Sequence, residues 1–275
     1  MPAEVPARTV ERRCAVLGDP VGHSLSPVLH RAAYAERGLA WTYDACRVPA
    51  GGLAGFLADL DDTWVGLSVT MPLKREALAA ATVASATALQ AGSANTLLRT
   101  PDGWHADNTD VPGAVAALLE RHAEVVEAGT VLGGGATAAS VGLALAELGA
   151  RRVRLLVRDP DRAVETVAAI RSHPAAPDVE VLNLSAPVLG DVLVSTIPAG
   201  AQSVALVERV AHTPIVFDVL YDPWPTPLAA AATGTVIGGL DLLVHQAARQ
   251  FQMFTGLPAP LEAMRVAGRE ALASR

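Results

Sequence analysis

Lys74 and Asp110 are the residues of this 275-residue chain best suited to moving a proton together. Lys74 closes the run Ser68-Val69-Thr70-Met71-Pro72-Leu73-Lys74, and Asp110 closes Asp107-Asn108-Thr109-Asp110. Both runs are polar clusters just after apolar, strand-like segments, where an open α/β sheet receives its ligands. An ammonium and a carboxylate brought together there can hold a hydroxyl and transfer its proton. Asp110 also has a purely structural role open to it, as the cap of a helix beginning near Pro112. Around the pair stand further polar groups. In Gly22-His23-Ser24-Leu25-Ser26-Pro27, Ser26 reads as an N-cap and Pro27 as the first helical residue, which leaves the Ser24 hydroxyl facing the crevice. Asn95-Thr96 interrupts an apolar stretch. Ser24, Ser26, Thr70, Lys74, Asn95 and Asp110 together suit a polyhydroxylated acid. Serine donors match a carboxylate, and a site built to pair hydroxyls rejects ligands that lack them.

A second cluster, Gly133-Gly134-Gly135-Ala136-Thr137-Ala138, follows a strand-like run and opens a helical one, in the pattern Gly-x-Gly-x-x-Ala. The first glycine permits a tight turn, the second lets the backbone approach a pyrophosphate, and Ala138 permits close helix packing. The helix N-terminus then presents free N–H groups to phosphate. The next strand ends in Arg158-Asp159-Pro160-Asp161-Arg162. The guanidinium groups of Arg158 and Arg162 suit a 2′-phosphate and tip the reading to NADP. Asp159 offers a carboxylate to a ribose hydroxyl, which keeps NAD open.

The elements that must position these residues alternate. Strand-like runs are expected at Arg13–Leu17, Trp41–Val48, Val65–Val69, Ala94–Arg99 and Trp104–Ala106, with helices over Pro27–Arg37 and Pro112–His122. The strand pattern restarts at Thr130–Leu132 and continues at Val153–Val157, Val192–Ser195, Ile215–Val219 and Val236–Gly238. Helical stretches at Ala138–Leu148 and Arg162–Arg171 separate several of these. This is the βαβ signature of parallel sheets. The restart marks two units, and the final helices, Leu240–Thr255 and Pro260–Ser274, are expected to return to the first. The fold class is therefore α/β, with a discontinuous substrate domain at 1–111 plus 241–275 and a Rossmann-type dinucleotide-binding domain at 112–240.

Bulk properties agree. At 51% hydrophobic and 18% charged residues, the chain can bury a sizeable core and is not disordered. No apolar run approaches the roughly 18 residues that span a bilayer. The polar, mixed-charge start at Met1–Arg13 does not read as a signal peptide, so the chain reads as cytoplasmic. Cys14 and Cys46 lie in strand-like runs and read as buried thiols. No CxxC or HExxH pattern suggests a metal. A net charge of −7 without a Lys/Arg block argues against nucleic acid.

Ser24-Leu25-Ser26-Pro27, Val69 to Lys74, Ala94-Asn95-Thr96, Asp107 to Asp110, Gly133 to Ala136, Tyr221-Asp222-Pro223 and Gln246-Ala247-Ala248, in this order, resemble the shikimate dehydrogenase family. The resemblance covers nearly the whole chain. It implies NADPH-dependent reduction of 3-dehydroshikimate to shikimate, in chorismate and aromatic amino acid biosynthesis. It implies Lys74 and Asp110 as the catalytic pair, and Ser24 and Ser26 at the substrate carboxylate. Thr70, Asn95, Tyr221 and Gln246 would complete that site. Gly133, Gly134, Gly135, Ala136 and Thr137 would hold the pyrophosphate, Arg158 and Arg162 the 2′-phosphate, with Val219 and Gly239 beside the nicotinamide. Family members occur as monomers and homodimers. The chain departs from the family at Val157-Arg158-Asp159, where Asn-Arg-Thr is frequent, and at Ser195-Thr196-Ile197-Pro198, where Asn-Ala-Thr-Ser is common. Gly238-Gly239-Leu240-Asp241 replaces Asp-Gly-Leu-Gly. Two other readings stand beside this one: a quinate/shikimate dehydrogenase using NAD, and a non-enzymatic sensor of the pathway's metabolites.

Overall fold

The computed structural model describes residues 12–122 and 125–275. Of the polar start, Met1 to Glu11 lie outside the described residues. Two six-stranded sheets carry the fold. The first contains β1 (Arg12–Gly18), β2 (Trp41–Arg47), β3 (Trp64–Val69), β4 (Val83–Ala84), β5 (Thr96–Thr100) and β6 (Gly103–Asp107), in the order β2-β1-β3-β5-β6-β4. The βαβ pattern leads one to expect a wholly parallel sheet, and this one is not. β5 runs antiparallel to both β3 and β6. The turn Pro101-Asp102 makes the β5–β6 reversal, and Gly103, which opens β6, has φ +121°, a conformation that favours glycine.

That reversal positions the chemistry. Because β5 is antiparallel, its first residues lie at the same sheet edge as the last residues of β3 and β6. Ser68 pairs with Thr96, and Thr96 with Asp107. β1 joins the edge through Val16 opposite Ser68. Four chain segments thus leave one edge together: the loop to Ser24 and Ser26, the loop from Thr70 to Lys74, Asn95, and Asn108 to Asp110.

The helices of this half are α1 (Ser26–Glu36), α2 (Leu53–Ala58), α3 (Lys74–Ala80) and α4 (Ala86–Ala91). α5 (Asp110–Leu119) leads to the second sheet, made of β7 (Ala128–Leu132), β8 (Arg152–Val157), β9 (Asp178–Asn183), β10 (Val192–Ser195), β11 (Ile215–Asp218) and β12 (Thr235–Ile237). Every pairing here is parallel, in the order β12-β11-β10-β7-β8-β9. This is the strand order of a Rossmann-type sheet, whose direction of winding reverses beside its first strand and opens a crevice there. Around it lie α6 (Ala136–Glu147), α7 (Val164–Arg171), α8 (Val204–Val210) and α9 (Pro227–Ala231).

α10 (Gly239–Thr255) and α11 (Leu261–Ala273) follow β12 and return to the first half, as expected. α10 buries Val244, Ala247, Phe251 and Phe254, whose spacing lines one helical face. That face joins Cys14, Val16, Leu29, Tyr34 and Tyr43 in a core on the first sheet. α5 is packed against both α10 and α6, and its Ala114, Ala117 and Leu118 belong to the core of the second sheet. Cys14 is buried and Cys46 only half-buried; both thiols are free. Among the described residues no helix is long and apolar enough to cross a membrane.

Candidate active site

The sheet edge places the Lys74 Nζ 2.6 Å from the Asp110 Oδ2, with little of either side chain exposed. Local hydrogen bonding explains why both residues are available. Asp110 is the first residue of α5 but does not cap it. Asn108 Oδ1 accepts from the backbone N–H groups of Asp110 and Val111, at 3.1 and 3.4 Å. The capping role open to Asp110 is therefore not taken up: Asn108 takes the helix donors, and the Asp110 carboxylate is left for Lys74. Asp110 Oδ1 accepts from Asn95 Nδ2 at 2.8 Å. The Asn95 amide is itself oriented by the Thr109 backbone N–H, which donates to its Oδ1 at 2.8 Å.

The serines also exchange roles. Ser26 does not cap α1; Ser24 Oγ accepts from the Ser26 N–H, at 3.3 Å. Both nevertheless line one cavity of about 210 Å³, together with Thr70, Lys74, Asn95, Asp110, Tyr221 and Gln246. All eight residues expected at a substrate are thus brought together. Burial holds the Tyr221 phenol above its ordinary pKa, against hydrogen bonding to the Leu25 backbone and Ser24. Thr137, Val219 and Gly239 border the same cavity. Val219 and Gly239 touch through their backbones: a Cβ on Gly239 would stand 2.2 Å from the Val219 carbonyl oxygen. Asp241 caps α10 there by accepting from Gly238 N–H at 3.1 Å, which accounts for its place in Gly238-Gly239-Leu240-Asp241.

Gly133, Gly134, Gly135 and Ala136 do not line the cavity; they form the turn from β7 into α6. Each glycine is demanded differently. Gly133 has φ +114°, and a Cβ there would meet Thr196 Oγ1 at 2.3 Å. A Cβ on Gly134 would lie 2.9 Å from that of Ala163. Gly135 faces open space, with nothing within 4 Å of a Cβ, so its backbone is accessible from outside. Ala138, fully buried, seats α6 against the sheet. Arg158 and Arg162 are exposed beyond β8 and lie outside the cavity. Asp159 Oδ1 accepts from the Asp161 N–H at 3.1 Å and caps the short 3-10 turn Pro160–Ala163. Its carboxylate is thus engaged locally, while both guanidinium groups face outward. An open glycine backbone at a helix N-terminus, followed by two exposed arginines at the next strand end, fits a dinucleotide with a 2′-phosphate.

Sequence reasoning missed Ser68 and Gln250, which also line the cavity. Gln250 lies one helical turn after Gln246 on α10, a spacing that puts both on one face and is the available signal. Ser68 points inward from a strand end and carries none.

Fold and site define a class: a dinucleotide-binding α/β oxidoreductase whose reactive polar cavity lies in the cleft beside the glycine loop. Comparison with known proteins points to one family. A family model for the shikimate dehydrogenase substrate binding domain matches residues 16–97, and one for the shikimate 5'-dehydrogenase C-terminal domain matches residues 239–267. Shikimate dehydrogenase (NADP(+)) of Moorella thermoacetica is 32% identical over 273 residues, covering 94% of this chain and 92% of that one. The structure of Mycobacterium tuberculosis shikimate dehydrogenase superposes with a TM-score of 0.85 at 42% identity, covering 94% of this chain and 99% of that one. Shikimate 5-dehydrogenase of Thermus thermophilus, solved in complex with NADP(H) and shikimate, gives 0.83 at 30% identity, with coverage of 94% and 99%. The chain belongs to the shikimate dehydrogenase family.

Proposed function

We propose that this chain is an NADP-dependent shikimate dehydrogenase, reducing 3-dehydroshikimate to shikimate reversibly. The observation that carries the reading is the Lys74–Asp110 pair at 2.6 Å, in a cavity also bordered by Thr137 and Gly239 from the dinucleotide side. NADPH, when bound, supplies hydride to the substrate carbonyl carbon. Lys74 Nζ donates a proton to the carbonyl oxygen as negative charge develops on it, and takes that proton back in the reverse direction. Asp110 holds the ammonium in place and accepts from the same hydroxyl. Asn95 keeps Asp110 aligned. Ser24 and Ser26 receive the substrate carboxylate, and Thr70, Tyr221 and Gln246 pair its remaining oxygens. Gly133 to Thr137 would hold the pyrophosphate, Arg158 and Arg162 the 2′-phosphate, and Val219 and Gly239 the nicotinamide edge.

The domain division that supports this is 1–111 plus 241–275 for the substrate and 112–240 for the dinucleotide, with α5 as the bridge between them. The reading takes the active species to be a monomer or a homodimer. Two free thiols accord with a reducing, cytoplasmic setting.

Initial rates with shikimate or quinate, each paired with NADP or NAD, test the reading. The rate is expected to be highest for shikimate with NADP. Faster turnover of quinate with NAD would transfer the assignment to the catabolic relative, and ligand binding with no cofactor reduction would transfer it to a sensor.

A further inference from the structure

Beneath the cavity lies a buried chain of hydrogen bonds whose direction is fixed at both ends. At one end, the Thr109 backbone N–H can only donate, and it points at Asn95 Oδ1 at 2.8 Å. At the other, the Asn95 backbone oxygen can only accept, and Gln250 Nε2 donates to it at 3.1 Å. These two backbone groups decide which way both amides face. Everything between follows. Gln250 Nε2 also donates to Thr96 Oγ1 at 2.9 Å, so the Thr96 hydroxyl gives its proton onward, to Asn95 Oδ1 at 2.8 Å. Gln250 Oε1 is then an acceptor and receives the Ser68 hydroxyl at 2.7 Å. Ser68 Oγ in turn receives the Tyr43 hydroxyl at 2.5 Å. Tyr43 and Thr96 are fully buried, and Ser68 and Gln250 nearly so, at 3% and 1% exposure. Tyr43 and Thr96 lie off the cavity, so water is not at hand to replace either of them, whereas Ser68 and Gln250 border it.

The chain ends on the reacting pair. With its Oδ1 occupied by donors, Asn95 turns its Nδ2 to Asp110 Oδ1, and the other Asp110 oxygen faces Lys74. A reversed Asn95 amide would set oxygen against carboxylate. We propose that Tyr43, Ser68, Gln250 and Thr96 form a directional relay that reinforces the orientation the Thr109 N–H gives the Asn95 amide and, through it, helps align Asp110 with Lys74. They are positioning residues: the proton they order is not the one that reacts. The proposal rests on Lys74 and Asp110 being the reacting pair.

Thr96 separates this role from packing. Thr96→Val keeps the shape and removes the hydroxyl; Thr96→Ser keeps the hydroxyl and removes a methyl. The relay predicts that Thr96→Val turns over about tenfold more slowly, the worth of one buried hydrogen bond, and that it also melts lower, since Gln250 Nε2 and Asn95 Oδ1 each lose a partner. Thr96→Ser is expected to melt lower yet stay within about twofold of the parent rate. A packing role predicts the opposite ranking. Gln250→Met tests the chain from its other end and is expected to slow turnover by a similar factor. Parent-like turnover in folded Thr96→Val or Gln250→Met, or equal slowing in Thr96→Ser and Thr96→Val, overturns the relay. Lys74→Ala is assayed alongside. If it collapses while Thr96→Val does not, the relay alone fails; if it turns over normally, the reading of the pair fails.

Discussion

The three consecutive glycines of the β7–α6 turn make separable predictions, and Gly135→Ala is the most telling. Gly135 lies at φ −96° and ψ −173°, an extended conformation open to any residue. No heavy atom comes within 4 Å of a Cβ there. Replacing glycine by alanine at an unstrained position gains about 0.4–1 kcal/mol from the unfolded state. Alanine is a poorer N-cap than glycine by a similar amount, so the net change in stability is near zero. The cofactor effect is not compensated. A methyl in the open space beside the Gly135 backbone obstructs one approach of phosphate oxygen to an N–H group. A hydrogen bond to a charged group is worth about 1.5–3 kcal/mol, so KM for NADP is expected to rise roughly 10- to 150-fold. Gly134→Ala is the control, because its Cβ would stand 2.9 Å from that of Ala163. Overpacking there costs about 1–3 kcal/mol, lowering the melting temperature by about 2–4 °C per kcal/mol. Steady-state kinetics against NADP and thermal melts of both variants read the contrast. A Gly135→Ala enzyme with parent KM for NADP refutes the placement of the pyrophosphate.

Three further outcomes are expected. Arg158→Ala is expected to raise KM for NADP about tenfold and leave KM for NAD unchanged, since the 2′-phosphate proposed as its partner is absent from NAD; equal losses with both cofactors count against it. Asn108→Ala removes acceptors from the α5 entry and leaves the buried Ser93 carbonyl without its 3.0 Å donor, costing about 2–3 kcal/mol, measurable by urea unfolding; no loss would show that Asn108 is not the cap. His30 is fully buried against Tyr43, with ring centroids 4.1 Å apart, and burial lowers its pKa to about 3. A depressed histidine pKa means that the unfolded chain protonates first as pH falls below about 6.5, so stability conferred by neutral His30 is lost progressively towards pH 3. Between pH 6.5 and 5 this amounts to about 2 kcal/mol, and a His30→Phe variant is expected to lose correspondingly less over that interval; parallel losses contradict it.

Much of this is legible in the sequence because the chemistry sits at strand ends. Lys74 and Asp110 each close a polar run after an apolar one, and that placement alone marks them. The capping roles are not legible in the same way. Asn108 and Asp110 are equally able to accept helix N–H groups, as are Ser24 and Ser26, and only the backbone path decides between them. The βαβ rhythm describes the second sheet correctly but implies too parallel a first sheet, since the β5–β6 reversal rests on a two-residue turn, Pro101-Asp102. α2, α3, α4 and α8 escape a reading by periodicity. At six or seven residues each, they are too short for a helical period to emerge. β9, at the sheet edge, is as long as β8 but escapes because Asp178, Glu180 and Asn183 break the apolar run that marks the inner strands. The relay is invisible in the sequence because its partners are remote along the chain: Ser68 and Gln250 lie 182 residues apart. The two roles open to Asp159 are likewise separated only by structure, which shows its carboxylate engaged with the Asp161 N–H.

The central claim is that Lys74 carries the proton, and turnover set against substrate affinity in Lys74→Ala tests it most directly. Removing a positioned general acid costs about 10²–10⁴ in rate, whereas the groups proposed to hold shikimate, the serines, Asn95, Tyr221 and Gln246, remain. Initial rates of shikimate-dependent NADP reduction, with calorimetric binding of shikimate to the same preparation, are expected to show turnover at least about a hundredfold lower and a Kd within a few-fold of the parent. Near-parent turnover would contradict the account.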